Sequence, residues 1–165
     1  MHFGRSNADW KYTINGRTLK SIDRQMDLGV QVHRSLKVAT QVEKVVKKAY
    51  GMLAFIGRGI EFKNWQVMLQ FYRTLVRPYL EYSVQFWSPH YQKNVETLER
   101  VQKRFTWMLP GMEGISYEER LEKLGLFSLE RRRLRGDLIE VYKIMRGKDR
   151  VDSQSLFPRV EESYY

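Results

Sequence analysis

Apolar positions change their spacing once along this chain. Up to about residue 33 they come in short extended runs, and from Ser35 they recur every three or four residues. Lys11-Tyr12-Thr13-Ile14 and Arg17-Thr18-Leu19-Lys20 flank Asn15-Gly16, a pair suited to the positive φ angles of a two-residue turn, which predicts a β-hairpin. Asp27-Leu28-Gly29-Val30-Gln31-Val32 reads as a third strand. So small a sheet has exposed edges, where a protein partner could pair.

In the helical part, Val42, Val45, Val46, Ala49, Leu53 and Ile56 form one stripe with Lys44, Lys47 and Lys48 between them, and Gly57 and Gly59 close the element. Asn64 is placed to cap a second helix, whose Met68, Phe71, Tyr72, Leu75 and Val76 run into residues 75–91. Asn94 is placed to cap another, with Val95, Leu98, Val101, Phe105 and Met108 inward and Pro110-Gly111 at its end. Ser116-Tyr117-Glu118-Glu119 has the spacing of a capping box and opens a short helix stopped by Gly125. The last helix starts near Ser128, carries Leu134, Leu138, Val141, Tyr142 and Met145 on one face, and ends at Gly147. The pattern predicts a mostly α protein, a helical bundle with a small N-terminal antiparallel β-hairpin sheet.

Residues 75–91 are the most aromatic stretch. Leu75, Tyr79, Tyr82 and Phe86 fall on one helical stripe and Val76, Leu80, Val84 and Trp87 on its neighbour, so together they cover most of the circumference. That predicts a central helix, in preference to a platform for stacking bases. Pro78 lacks an amide and predicts a kink or a fresh helix start within it.

The formal charge of +10 points to an anionic partner. The surplus is uneven: residues 1–92 hold 14 Lys+Arg against 6 Asp+Glu, and residues 93–165 hold 15 against 13. The run Arg131-Arg132-Arg133-Leu134-Arg135 therefore lies in a nearly balanced half. Its guanidinium forks could hold phosphates, or it could be a solvated face paired with Glu130, Asp137 and Glu140.

Catalytic chemistry finds little to work with. The chain has no cysteine, its aspartates 9, 23, 27, 137, 149 and 152 are never adjacent, and His2, His33 and His90 stand alone. No metal-ligand spacing, Gly-rich phosphate loop or nucleophile elbow occurs, so no catalytic residue, metal, cofactor or small-molecule substrate is expected. Without an apolar signal segment or span, the expectation is a soluble intracellular protein, not secreted and not in a membrane.

A series of strings nonetheless stands in a distinctive order: Asp27-Leu28-Gly29-Val30, Lys48-Ala49-Tyr50-Gly51-Met52-Leu53, Leu75-Val76-Arg77-Pro78-Tyr79-Leu80-Glu81-Tyr82 and Phe86-Trp87-Ser88-Pro89. Leu98-Glu99-Arg100-Val101-Gln102-Lys103-Arg104, Ser116-Tyr117-Glu118-Glu119-Arg120-Leu121 and Leu126-Phe127-Ser128-Leu129-Glu130-Arg131-Arg132-Arg133 through Leu138 follow. Over residues 1–148 this resembles the region after the catalytic palm in reverse transcriptases of LINE-type, non-LTR retrotransposons, the jockey-like and chicken-repeat clades.

The resemblance implies an RNA-directed DNA polymerase whose magnesium-binding Asp-Asp motif lies upstream, so this chain would be a fragment, truncated at both ends and inert alone. Residues 1–33 would be the palm end, with Met1–Gly4 as its last strand and Asp27, Leu28 and Gly29 in a strand supporting the primer. Residues 34–148 would be the thumb and its extension, and 149–165 a poorly ordered tail. Ser83 stands where the family usually has cysteine, a small residue expected in the interior. A thumb grips the RNA/DNA template–primer duplex by its backbone, which implies contacts from Lys44, Lys47, Lys48 and Arg58. The alternatives are a helical interaction or structural module, or a decaying copy without a selected role.

Overall fold

The computed structural model describes residues 1–3, 7–60 and 64–158. It is mostly helical, with small antiparallel hairpins at its start. The first hairpin pairs β1 (Thr13–Ile14) with β2 (Arg17–Thr18) around Asn15-Gly16, both at positive φ as the turn requires.

The expected third strand is instead a second hairpin. β3 (Arg24–Asp27) pairs with β4 (Val30–His33), and the chain reverses at Leu28-Gly29, with φ of 43° and 85°. Of the residues assigned to a primer-supporting strand, Asp27 therefore ends β3, whereas Leu28 and Gly29 form a turn. Leucine rarely takes this conformation, which is why the reversal was hidden in an apolar run. Met1–Phe3 form no strand, and Gly4 lies outside the described residues.

Four residues later than the pattern suggested, α1 (Ala39–Gly59) begins, because the chain first turns at Leu36, whose amide donates to the His33 carbonyl at 2.8 Å. Its inner face, Val42, Val45, Val46, Ala49, Leu53 and Ile56, is the predicted stripe. Gln41, also on that face, accepts from the Gln31 amide at 2.8 Å, and Val30 of β4 enters the same core. Thus the second hairpin is tied to α1 through the Gln41 side chain and through Val30 in the shared core.

α2 (Trp65–Phe71) is capped by Asn64, whose side chain accepts from the Gln66 amide at 2.8 Å. The helix then widens into a π turn over Tyr72–Val76 before α3 (Arg77–Glu81). Pro78 explains this: it donates no hydrogen bond and its ring crowds the preceding turn, so the extra residue relieves both. A further break follows at Tyr82-Ser83, where Ser83 is left-handed at φ 52° and α4 (Val84–Trp87) restarts the helix. Ser83 is exposed, contrary to the interior placement expected for it.

Only half of the aromatic stretch is core. Val76, Leu80, Val84 and Trp87 are buried, whereas Tyr82 and Phe86 are 57% and 64% exposed. The breaks at residues 72–76 and 82–83 rotate successive segments so that one stripe stays inside. Trp87 is anchored by its indole N–H, which donates to the Tyr82 carbonyl at 2.8 Å.

α5 (Gln92–Trp107) starts two residues before Asn94, which therefore does not cap it. Ser116 and Glu119 form the predicted reciprocal capping box of α6 (Tyr117–Leu124), and Gly125 ends it in the left-handed region. α7 (Leu129–Met145) is capped by Ser128, and α8 (Ser153–Leu156) gives the described part of the tail one short helix. Residues 159–165 of that tail lie outside the described residues.

A buried polar network joins α5, α6 and α7. The Tyr72 hydroxyl donates to Gln102 Oε1 at 2.7 Å, and Gln102 Nε2 reaches both the Tyr117 hydroxyl and the Phe127 carbonyl at 3.0 Å. Tyr117 in turn donates to Glu99, whose carboxylate accepts the Leu129 amide at 3.0 and 3.2 Å and the Glu130 amide at 3.3 Å. A carboxylate of α5 thereby caps α7, where the helix dipole favours negative charge. Tyr72 also stacks on Phe105, with ring centroids 4.1 Å apart.

Candidate nucleic-acid interface

Outward from the core, α1 presents one continuous basic face. At about 100° per residue, Lys44, Lys47, Lys48, Gly51, Phe55 and Arg58 fall within a roughly 100° arc. That arc holds no acidic residue. Lys47, Lys48 and Arg58 are exposed, Lys44 is half-buried, and none of the four makes an ion pair among the described residues. Phe55 is 64% exposed in their midst.

Two of these lysines line a cleft of about 310 Å³ between α1, α3 and the second hairpin, with Gly29, Pro78, Tyr79 and Tyr82. Lys44 Nζ lies 2.8 Å from the sulfur of Met26, and desolvation, helped by Lys48, pulls its ammonium below the ordinary lysine value. Lys48 stands 5.8 Å from the centroid of the Tyr79 ring. The Tyr82 hydroxyl donates to the Leu28 carbonyl at 2.9 Å, and its ring faces Gly29. The turn at Leu28-Gly29 and Lys44 and Lys48 of α1 thus border the same cleft.

The hairpin turn offers a test of its own. A Cβ at Gly29 would lie 3.5 Å from the Tyr82 ring, an ordinary contact, so the penalty for Gly29→Ala comes from φ of 85°. Stability is expected to fall by about 1 kcal/mol, read from the midpoint of chemical denaturation.

The arginines of α7 behave differently from one another. Arg132 is committed: its guanidinium makes a two-point ion pair with Glu81, one contact being Nη2 to Oε2 at 3.0 Å, and Arg77 approaches the same carboxylate at 3.7 Å. It is a tie between α3 and α7, not a phosphate ligand. Arg133 points inward and is 4% exposed, and burial lowers its affinity for the proton. Arg131 and Arg135 remain exposed, Arg131 stacked over Phe127 at 5.1 Å. They belong to another part of the fold, since α7 packs on α4 and α5 while α1 packs on α5, α3 and β4. The solvated-face expectation also changes: Glu140 pairs with Lys143 at 3.2 Å.

Sequence reasoning missed Phe55, Tyr79 and Tyr82 as surface groups. A wheel drawn through the lysines would have found Phe55, whereas Tyr79 and Tyr82 depend on how the breaks around Pro78 turn the chain. The arrangement suits a flexible, charge-based grip on phosphates flanked by aromatic edges, which carries no base-reading geometry. Among the described residues no three His, Cys, Asp or Glu side chains converge as a metal site, and no helix is long and apolar enough to cross a membrane. Compared with protein-family models, curated proteins and solved structures, the chain matches none of them.

Proposed function

We propose that this chain is the thumb region of a LINE-type reverse transcriptase and that α1 lies along the phosphate backbone of an RNA/DNA template–primer duplex. The ordered motifs support the origin, and the acid-free face of Lys44, Lys47, Lys48 and Arg58 supports the activity. On this reading binding is independent of sequence, and the polymerase centre lies outside this chain.

Salt dependence tests it. Each phosphate neutralised contributes about −0.9 to the slope of log affinity against log salt on B-form DNA, and a hybrid duplex is expected to behave similarly. Lys44→Gln/Lys47→Gln/Lys48→Gln should flatten the slope by roughly two to three units, measured by fluorescence anisotropy with a labelled RNA/DNA hybrid. An unchanged slope would remove α1 as the interface.

A second role, as a helical protein-interaction module, is favoured by a different surface. Leu134, Leu138, Tyr142 and Met145 of α7 are each about half exposed or more.

A further inference from the structure

α7 is mounted with its apolar stripe outward. Leu129 and Arg133 face the body of the protein, and at about 100° per residue they lie roughly opposite Leu134, Leu138, Val141 and Met145. These four are 60, 62, 38 and 47% exposed. They recur at spacings of four, three and four, which is the a/d repeat of a helix that packs on another helix. Nothing else among the described residues covers this seam, and the inner face of α7 is held by the Glu99 cap and the Arg132–Glu81 pair.

We propose that the seam is a homodimer interface in which α7 of one chain packs parallel to α7 of a second copy. The charges beside the seam specify that occupant. In a parallel pair a residue flanking the seam faces the residue five positions later on the other helix, which sets Glu130 against Arg135 of the second copy, twice by symmetry. Both side chains are exposed, and neither makes an ion pair within the described chain. Glu130 also flanks Arg131 of the second copy, offsetting the approach of the two Arg131 side chains at the seam's start. Antiparallel packing would instead bring Arg135 to Tyr142 of the second copy, where Arg146 and Lys148 already lie 5.6 Å from the ring centroid. Like charges would then gather at both ends. The dimer does not depend on the nucleic-acid reading, since α1 and α7 use different residues.

Sedimentation equilibrium of the full chain without nucleic acid should show the mass rising with concentration from 19.8 kDa towards twice that value. Leu134→Glu/Leu138→Glu should stay monomeric with unchanged helicity, because both side chains are mostly solvent-exposed. The chain has no cysteine, so Leu134→Cys reports orientation directly: in a parallel pair the two positions share a layer and oxidise to a covalent dimer. Antiparallel pairing would cross-link Leu134→Cys only when mixed with Met145→Cys. A monomer at every concentration, a dimer that survives the double glutamate variant, or cross-linking only in the mixture would each overturn the proposal.

Discussion

Glu99→Ala is expected to cost about 3 kcal/mol of folding stability, one of the largest losses available from a single side chain of this protein. The carboxylate accepts two backbone amides at the start of α7 and the Tyr117 hydroxyl, all in a region where Leu129 is fully buried. Truncation strands three donors at once, and each unsatisfied buried donor costs about 1–3 kcal/mol before local rearrangement and water recover part of it. It also removes a negative charge from a helix N-terminus, worth up to about 2 kcal/mol when partly buried. Glu99→Gln keeps an acceptor and should lose roughly half as much. Urea denaturation of the two variants measures both losses. If Glu99→Ala loses less than about 1 kcal/mol, α7 is held by something other than this cap.

Helix identity was legible wherever a local rule decides it. The stripe of α1, the Asn64 cap and the Ser116–Glu119 box need only neighbours within a few residues, and each stands as the sequence suggested. The second hairpin escaped because its turn rests on Leu28, a residue that local rules keep out of the left-handed region. The sequence pattern identified the apolar stripe of α7 but not the direction it faces. That direction depends on Glu99, 30 residues before the helix begins, and on Glu81, 51 residues before Arg132. Distant pairs of this kind have no signature in local spacing.

The same limit governs the candidate site. Lys44, Lys47, Lys48 and Arg58 could be placed on one face from their spacing in a single helix, and the structure keeps them there. Arg132 could not be separated from Arg131 and Arg135 in that way, since all three are arginines within one turn or so. Its ion pair with Glu81 takes it out of the phosphate-binding set, and burial takes out Arg133. What remains for an anionic partner on α7 is Arg131 and Arg135, beside an apolar seam. The charges of these two helices therefore differ in kind, a basic face on α1 and a mixed face on α7.

Above about pH 10 stability is expected to fall steeply, because two tyrosines of the polar network resist ionisation in the folded state. Burial raises the Tyr72 hydroxyl above its ordinary value, with the charges of Glu81 and Glu99 acting in the same direction. Tyr117 is raised by desolvation first and then by its hydrogen bond to Glu99, which requires the hydroxyl proton. In the unfolded chain both ionise near pH 10, so above that pH the unfolded state binds fewer protons than the folded state and unfolding is favoured. The contribution is complete below pH 10 and declines as pH rises, by about 1.4 kcal/mol per pH unit for Tyr72. Tyr117 adds in the same sense. Two observables move together if this is right: helical ellipticity, and the phenolate absorbance of these two tyrosines, which should appear only as the helices melt. Tyr72→Phe removes one ionising group and should shallow the alkaline slope, at the cost of leaving Gln102 Oε1 without its 2.7 Å partner. An identical slope in that variant would mean that other groups set the alkaline limit of the fold.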